Sequence, residues 1–115
     1  MAALHRFLRG RFVDAVFAPR IDLHGKRIIV TGCAAGSIGF QTARILASWG
    51  ADVIVTTRKN PAAIAAALRA QIERAPQHGR IDAHALDLAD ASSTNTFAAW
   101  VLENRGERLD VLVNN

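Results

Sequence analysis

The sequence predicts an α/β fold, a doubly wound parallel sheet of about four strands with a helix between each strand and the next. Three observations predict it. Short apolar runs recur at Ile28 to Val30, Val53 to Thr56, Ile81 to Leu86 and Leu109 to Val113. Helical periodicity fills each interval between them. The first run also breaks into glycines before its helix begins, in the stretch Ile28 to Gly39, IIVTGCAAGSIG. Strands alternating with helices join as right-handed parallel crossovers, which put helices on both faces of the sheet.

The N-terminal arm, residues 1–25, holds Arg6, Arg9, Arg11 and Arg20 against Asp14 and Asp22. Leu4, Leu8, Phe12, Ala15 and Val16 share a helical face with Arg6 and Arg9 opposite, although Arg11 intrudes on the apolar side. That pattern fits a helix packed on its own domain and ended by Pro19. It also fits peripheral contact with an anionic membrane surface, or a weak organellar targeting peptide.

After the first strand, Ile38 to Ser48 reads as a helix with Ala43, Ile45, Leu46 and Ala47 as its apolar set and Gly50 as its stop. Val53 to Thr56 is β-branched throughout, as a buried strand prefers. Asn60-Pro61 then supplies an N-cap followed by proline at the first helical position, and Ile64, Leu68 and Ile72 line one face. Pro76 and Gly79 end that helix. Ser92 or Ser93 caps the next one, which turns Phe97, Trp100 and Val101 inward. Neither an internal repeat nor a low-complexity segment interrupts the pattern.

A strand that breaks through glycines into a helix presents free N–H groups and the positive end of the helix dipole to an anion. Gly32 allows the sharp turn off the strand, Gly36 keeps side-chain bulk away from a pyrophosphate, and Gly39 lets the helix sit close to the sheet. Cys33, beside that helix start, reads as a small residue fitting the loop, or as a thiol of lowered pKa.

Composition narrows the field. With 115 residues and 50% hydrophobic side chains the chain is at most one globular domain. No apolar run approaches the roughly 20 residues a bilayer crossing needs. One cysteine excludes an internal disulfide and fits a reducing compartment, so the expected location is cytoplasmic. The net charge of +4 is not gathered in a block interleaved with aromatics, which argues against nucleic acid as a partner. His5, His24, His78 and His84 form no metal-ligand spacing with one another or with Cys33.

Thr31-Gly32, Gly36 and Gly39, taken with Asp87-Leu88 and the terminal run Leu109 to Asn115, resemble the short-chain dehydrogenase/reductase family, and within it the retinol-dehydrogenase-like members. The resemblance covers Lys26 to Asn115. One departure stands out: Ser37 and Ile38 both separate the last two glycines, where the usual T-G-x-x-x-G-x-G loop has one residue. That wider gap also resembles extended members of the superfamily, and the GSIG wording resembles ketoreductase domains of large fatty acid synthases. The resemblance implies a Rossmann-type sheet in the order 3-2-1-4, with a nicotinamide dinucleotide across the carboxyl ends of its strands. It implies cofactor contacts at Gly32, Gly36, Ser37, Ile38 and Gly39. It implies further that Asp87 meets the adenine amino group beside Leu88, and that Asn114 and Asn115 border the cofactor ribose and steady the central strand. The other reading of Asp87 is a turn or helix cap, and both can hold together.

The end of the second strand bears on the choice of cofactor. NAD sites usually carry an acid about 20 residues past the glycines to accept the ribose hydroxyls. Thr57, Arg58 and Lys59 stand there instead, and Asp52 lies at the wrong end of the strand. Two cations and a hydroxyl attract the 2′-phosphate of NADP, so NADP is expected over NAD, with Arg58 as the principal contact. A solvated loop pair is the alternative for Arg58 and Lys59.

The family moves hydride between a nicotinamide cofactor and a carbonyl or alcohol, using a Tyr-x-x-x-Lys pair and a serine. This sequence has no tyrosine, and its only lysines are Lys26 and Lys59. The expectation is therefore the N-terminal, cofactor-binding part of a longer reductase, from a truncated or interrupted reading frame and inactive alone. Its substrate would be a small apolar carbonyl or alcohol, and a homo-oligomer is open to it. The alternative is a non-catalytic dinucleotide-binding or partner-binding module. Either way, Val111-Leu112-Val113 is expected to expose an apolar edge, with two helices on one face of the sheet and one on the other.

Overall fold

The computed structural model describes residues 19–115. Strands β1 (Arg27–Val30), β2 (Asp52–Thr57), β3 (Ile81–Ala85) and β4 (Val111–Val113) alternate with helices α1 (Ile38–Ser48), α2 (Pro61–Ile72) and α3 (Ala91–Arg105). All three strand pairings are parallel, and the order across the sheet is β3-β2-β1-β4. The helix expected before Pro19 lies outside the described residues. Residues 19–26 run as extended chain and a turn, tied down where the Leu23 N–H donates to the Trp49 carbonyl at 2.9 Å.

The strands are short, and their period-two alternation divides two cores. Ile28, Val30, Val53, Val55 and Ile81 point to one face, where Phe40, Ala43 and Ala47 of α1 and Ile64, Leu68 and Ile72 of α2 cover them. Ile29 and Ile54 point to the other, against Leu86 and α3 through Phe97, with Trp100 and Val101 partly buried beside them. The expected arrangement of two helices on one face and one on the other is therefore present. Strand β4 is the poorly covered member: Val111 is 44% and Leu112 51% exposed, whereas Val113 packs against the larger core.

Several local expectations need correction. Ile45 is 38% exposed rather than inward, and Phe40, at 3%, belongs to the larger core. Asn60 occupies the position before Pro61 in a left-handed conformation (φ 49°) without capping through its side chain; its carbonyl accepts instead from the N–H groups of Ala63 and Ile64. The helix it starts ends at Ile72, ahead of Pro76. Helix α3 is capped by neither serine. Asp90 precedes it, with Oδ1 accepting from the Ser92 N–H at 2.9 Å. Aspartate at this position adds a full negative charge to the cap, which favours the helix dipole more than a neutral hydroxyl does.

The amino ends of the strands carry a charge network. Arg27 pairs across β1 and β2 with Asp52 at 3.5 Å, in the register of their backbones. Asp82 on β3 gathers Arg69 at 3.4 Å, Arg80 at 3.1 Å and Arg105 from the end of α3. Asp110 accepts from the Arg27 N–H at 2.7 Å and pairs with Arg108 at 3.1 Å. These contacts join the end of α3 to β3 and the start of β4 to β1.

Candidate functional site

The carboxyl ends of the strands are built differently. After β1 the chain turns at Gly32 (φ +69°), and Cys33 tucks inward with its N–H donating to the Thr56 carbonyl at 2.8 Å. Burial pushes the Cys33 thiol up to about 11, outweighing the hydrogen bond with the Thr56 backbone. The thiol is therefore a packing group, and the alternative of lowered acidity is set aside. A second left-handed residue, Gly36 (φ +74°), leads into Ser37. The Ser37 hydroxyl accepts from the Phe40 N–H at 3.1 Å and donates to the Gly32 carbonyl at 3.3 Å. The extra residue between the glycines is thus the N-cap of α1, and it closes the turn on itself.

Each glycine has a separate reason. A Cβ on Gly39 would lie 2.7 Å from the Gly32 carbonyl oxygen and 3.1 Å from that of Thr31, so only glycine lets α1 meet the turn. A Cβ on Gly36 would meet nothing within 4 Å; the space above that backbone is open. Ile38, at the start of α1, is 77% exposed. The N–H groups of Ile38 and Gly39 belong to the first turn and have no intrahelical acceptor.

The turn is held from behind by Asn115. Its N–H donates to the Thr31 hydroxyl at 3.1 Å and its Nδ2 to the Gly32 carbonyl at 3.1 Å. This side chain braces the turn.

That cleft, of about 550 Å³, is lined by Gly32 and Ala34 of the turn, by Thr56 to Lys59 at the end of β2, and by Leu86 to Ala89 after β3. Of the residues singled out in the sequence, it unites Gly32, Arg58, Asp87 and Leu88. Ser37, Ile38 and Gly39 belong to the neighbouring helix start. Thr57 is nearly buried and donates its hydroxyl to the Lys59 carbonyl at 3.3 Å, so it shapes the loop. Arg58 and Lys59 are exposed and form no ion pair among the described residues.

Asp87 does serve as a turn cap: its Oδ1 accepts from the Ala89 N–H at 3.0 Å and its carbonyl from the Asp90 N–H at 3.1 Å. Sequence reasoning missed the partner of its N–H, the Ser93 hydroxyl at 2.9 Å. The serine was legible only as a candidate helix cap. Among the described residues no group of His, Cys, Asp and Glu is placed to hold a metal ion, and no helix is long and apolar enough to cross a membrane.

A parallel sheet in this order, with a glycine turn and a helix start at the carboxyl end of its first strand, defines the class of doubly wound nucleotide-binding folds. A family model described as short chain dehydrogenase matches residues 26–115, and the chain belongs to the short-chain dehydrogenase/reductase family of oxidoreductases. It is 45% identical over 96 residues to a probable oxidoreductase of Streptomyces antibioticus, covering 83% of this chain and 30% of that protein. To human retinol dehydrogenase 13 it is 42% identical over 96 residues, covering 84% of this chain and 28% of that one. The chain thus spans less than a third of the length of these curated relatives.

Solved structures agree. A citronellol catabolism dehydrogenase of Pseudomonas aeruginosa PAO1 superposes with a TM-score of 0.68 at 34% identity, covering 89% of this chain and 40% of that one. An alcohol dehydrogenase of Thermococcus sibiricus, complexed with 5-hydroxy-NADP, gives a TM-score of 0.62 at 29% identity, covering 76% and 35%.

Proposed function

We propose that this chain is the coenzyme-binding part of an NADP-dependent short-chain oxidoreductase acting on a small, apolar carbonyl or alcohol. The observation that carries the reading is convergence: the glycine turn, Arg58 with Lys59, and Asp87 with Leu88, far apart in sequence, line a single cleft. When bound, the nicotinamide supplies or accepts the hydride. The remaining work falls to the chain. The N–H groups at the start of α1, beside the open space over Gly36, suit a diphosphate. Arg58 and Lys59 offer unneutralised positive charge to a 2′-phosphate. The one acid of β2, Asp52, is engaged with Arg27 at the far end of the strand and offers nothing to a ribose hydroxyl.

Titration of the chain with NADPH and NADH, followed by cofactor fluorescence, tests this. NADPH is expected to bind at least about tenfold more tightly, the discrimination of one charge-assisted contact. Gly36→Val, which fills the space over the turn, is expected to abolish binding of both. Equal affinities would remove the NADP assignment, and unchanged affinity in Gly36→Val would remove the site.

One observation favours a second reading, a non-catalytic nucleotide-binding or partner-binding module: the 115 residues contain no tyrosine for proton transfer. Under both readings the chain alone turns nothing over. They separate on whether a partner chain carrying a Tyr-x-x-x-Lys pair restores NADPH-dependent reduction.

A further inference from the structure

We infer that Ser93 is a positioning residue for recognition of the purine base: its hydroxyl accepts from the Asp87 N–H and fixes the backbone that carries the Asp87 carboxylate at the rim of the cleft. The inference rests on the proposed coenzyme site. Asp87 follows the last strand residue by a short step and is exposed, a situation in which a side chain ordinarily samples several rotamers. Here two bonds hold its backbone and one holds its side chain. Its N–H donates to the Ser93 hydroxyl at 2.9 Å, its carbonyl accepts from the Asp90 N–H at 3.1 Å, and its Oδ1 accepts from the Ala89 N–H at 3.0 Å.

Only Oδ2 carries no hydrogen bond among the described residues, and Asp87 lines the cleft. Of its three tethers, two come from within the same short loop and move with it. Ser93 alone belongs to a different element, the first turn of α3, whose Phe97 is buried against the sheet. The half-buried serine therefore transmits the position of a packed helix to an exposed loop. A fixed acceptor discriminates between a base that donates at this point and one that does not, because an unpaired acceptor facing a second acceptor is penalised.

The test compares NADPH with its hypoxanthine analogue, in which a carbonyl replaces the purine amino group. The native chain is expected to prefer NADPH about tenfold, and Asp87→Ala to show no preference. In Ser93→Ala the preference is expected to fall to about twofold, while Ser93→Thr, which keeps the hydroxyl, retains it. Ser93→Val against Ser93→Thr gives the same comparison at equal volume should the alanine variant fail to fold. A merely structural role would weaken both nucleotides together and leave their ratio at the native value; that result overturns the inference. So does a native chain that binds NADPH without preferring it to the analogue. A native chain that binds neither nucleotide instead refutes the coenzyme site itself, and the inference with it.

Discussion

The two ends of the sheet use the same kind of side chain to opposite effect. At the amino ends, Arg27, Arg69, Arg80, Arg105 and Arg108 each meet a carboxylate. At the carboxyl ends Arg58 and Lys59 meet none among the described residues. A paired guanidinium joins elements of the fold, whereas an unpaired one keeps its field for a ligand. What distinguishes the two is the aspartate beside it, more than the arginine.

Asp82→Ala tests the structural end and carries the largest expected effect. It leaves Arg105, whose side chain is 11% exposed, and its two companions without their carboxylate partner. A loss of about 2–3 kcal/mol is expected, read as a fall in Tm or in urea midpoint, with NADPH affinity unchanged. A loss of binding without loss of stability would erase the distinction between the ends.

Arg58→Ala is the mirror experiment. NADPH is expected to bind about tenfold or more weakly and NADH to change little, while stability stays within about 0.5 kcal/mol. Equal losses for both nucleotides would return Arg58 to the status of a solvated loop residue.

Ionic strength gives a milder contrast. Raising it from about 0.05 to about 0.5 M is expected to weaken NADPH several-fold more than NADH, since the exposed cations at the carboxyl end are screened. Thermal stability is expected to move less, because the Asp82 network is partly shielded from solvent.

The smallest effect belongs to Asp110. The Arg27 N–H, and after it the Arg108 guanidinium, hold its carboxyl below the usual carboxylate range. The folded chain therefore takes up that proton at lower pH than the unfolded chain does. Its contribution is intact above about pH 4 and is lost as the pH falls through the depressed value. Asp110→Asn is expected to flatten the acid limb of the stability curve slightly, the group being exposed; an unchanged limb would assign that hydrogen bond no weight.

The strand–helix alternation was legible because the apolar runs are β-branched and the intervals are periodic, and α1 was read to the residue. The glycine turn was legible from its spacing together with the strand before it and the helix after it. What was not legible depends on contacts across the chain. Ile45 is left outside because the buried face of α1 runs through Gly39, Phe40, Ala43 and Ala47, a choice that depends on how the helix meets the sheet. The cap of α3 was expected at Ser92 or Ser93 and falls on Asp90, while Ser93 holds the Asp87 N–H instead, since any of three neighbouring polar residues could cap α3. Asn115 was expected to steady the central strand, but its particular partners, the Thr31 hydroxyl and the Gly32 carbonyl, lie far away in sequence and were not legible.

That last contact also bears on time. The glycine turn leaves the ribosome early, but the groups that brace it, the Asn115 N–H and amide, are translated only after α3 and β4. A nascent chain therefore carries its glycine turn unbraced until β4 has been made. Shorter N-terminal peptides that contain every glycine of the motif are expected to bind no nucleotide at all.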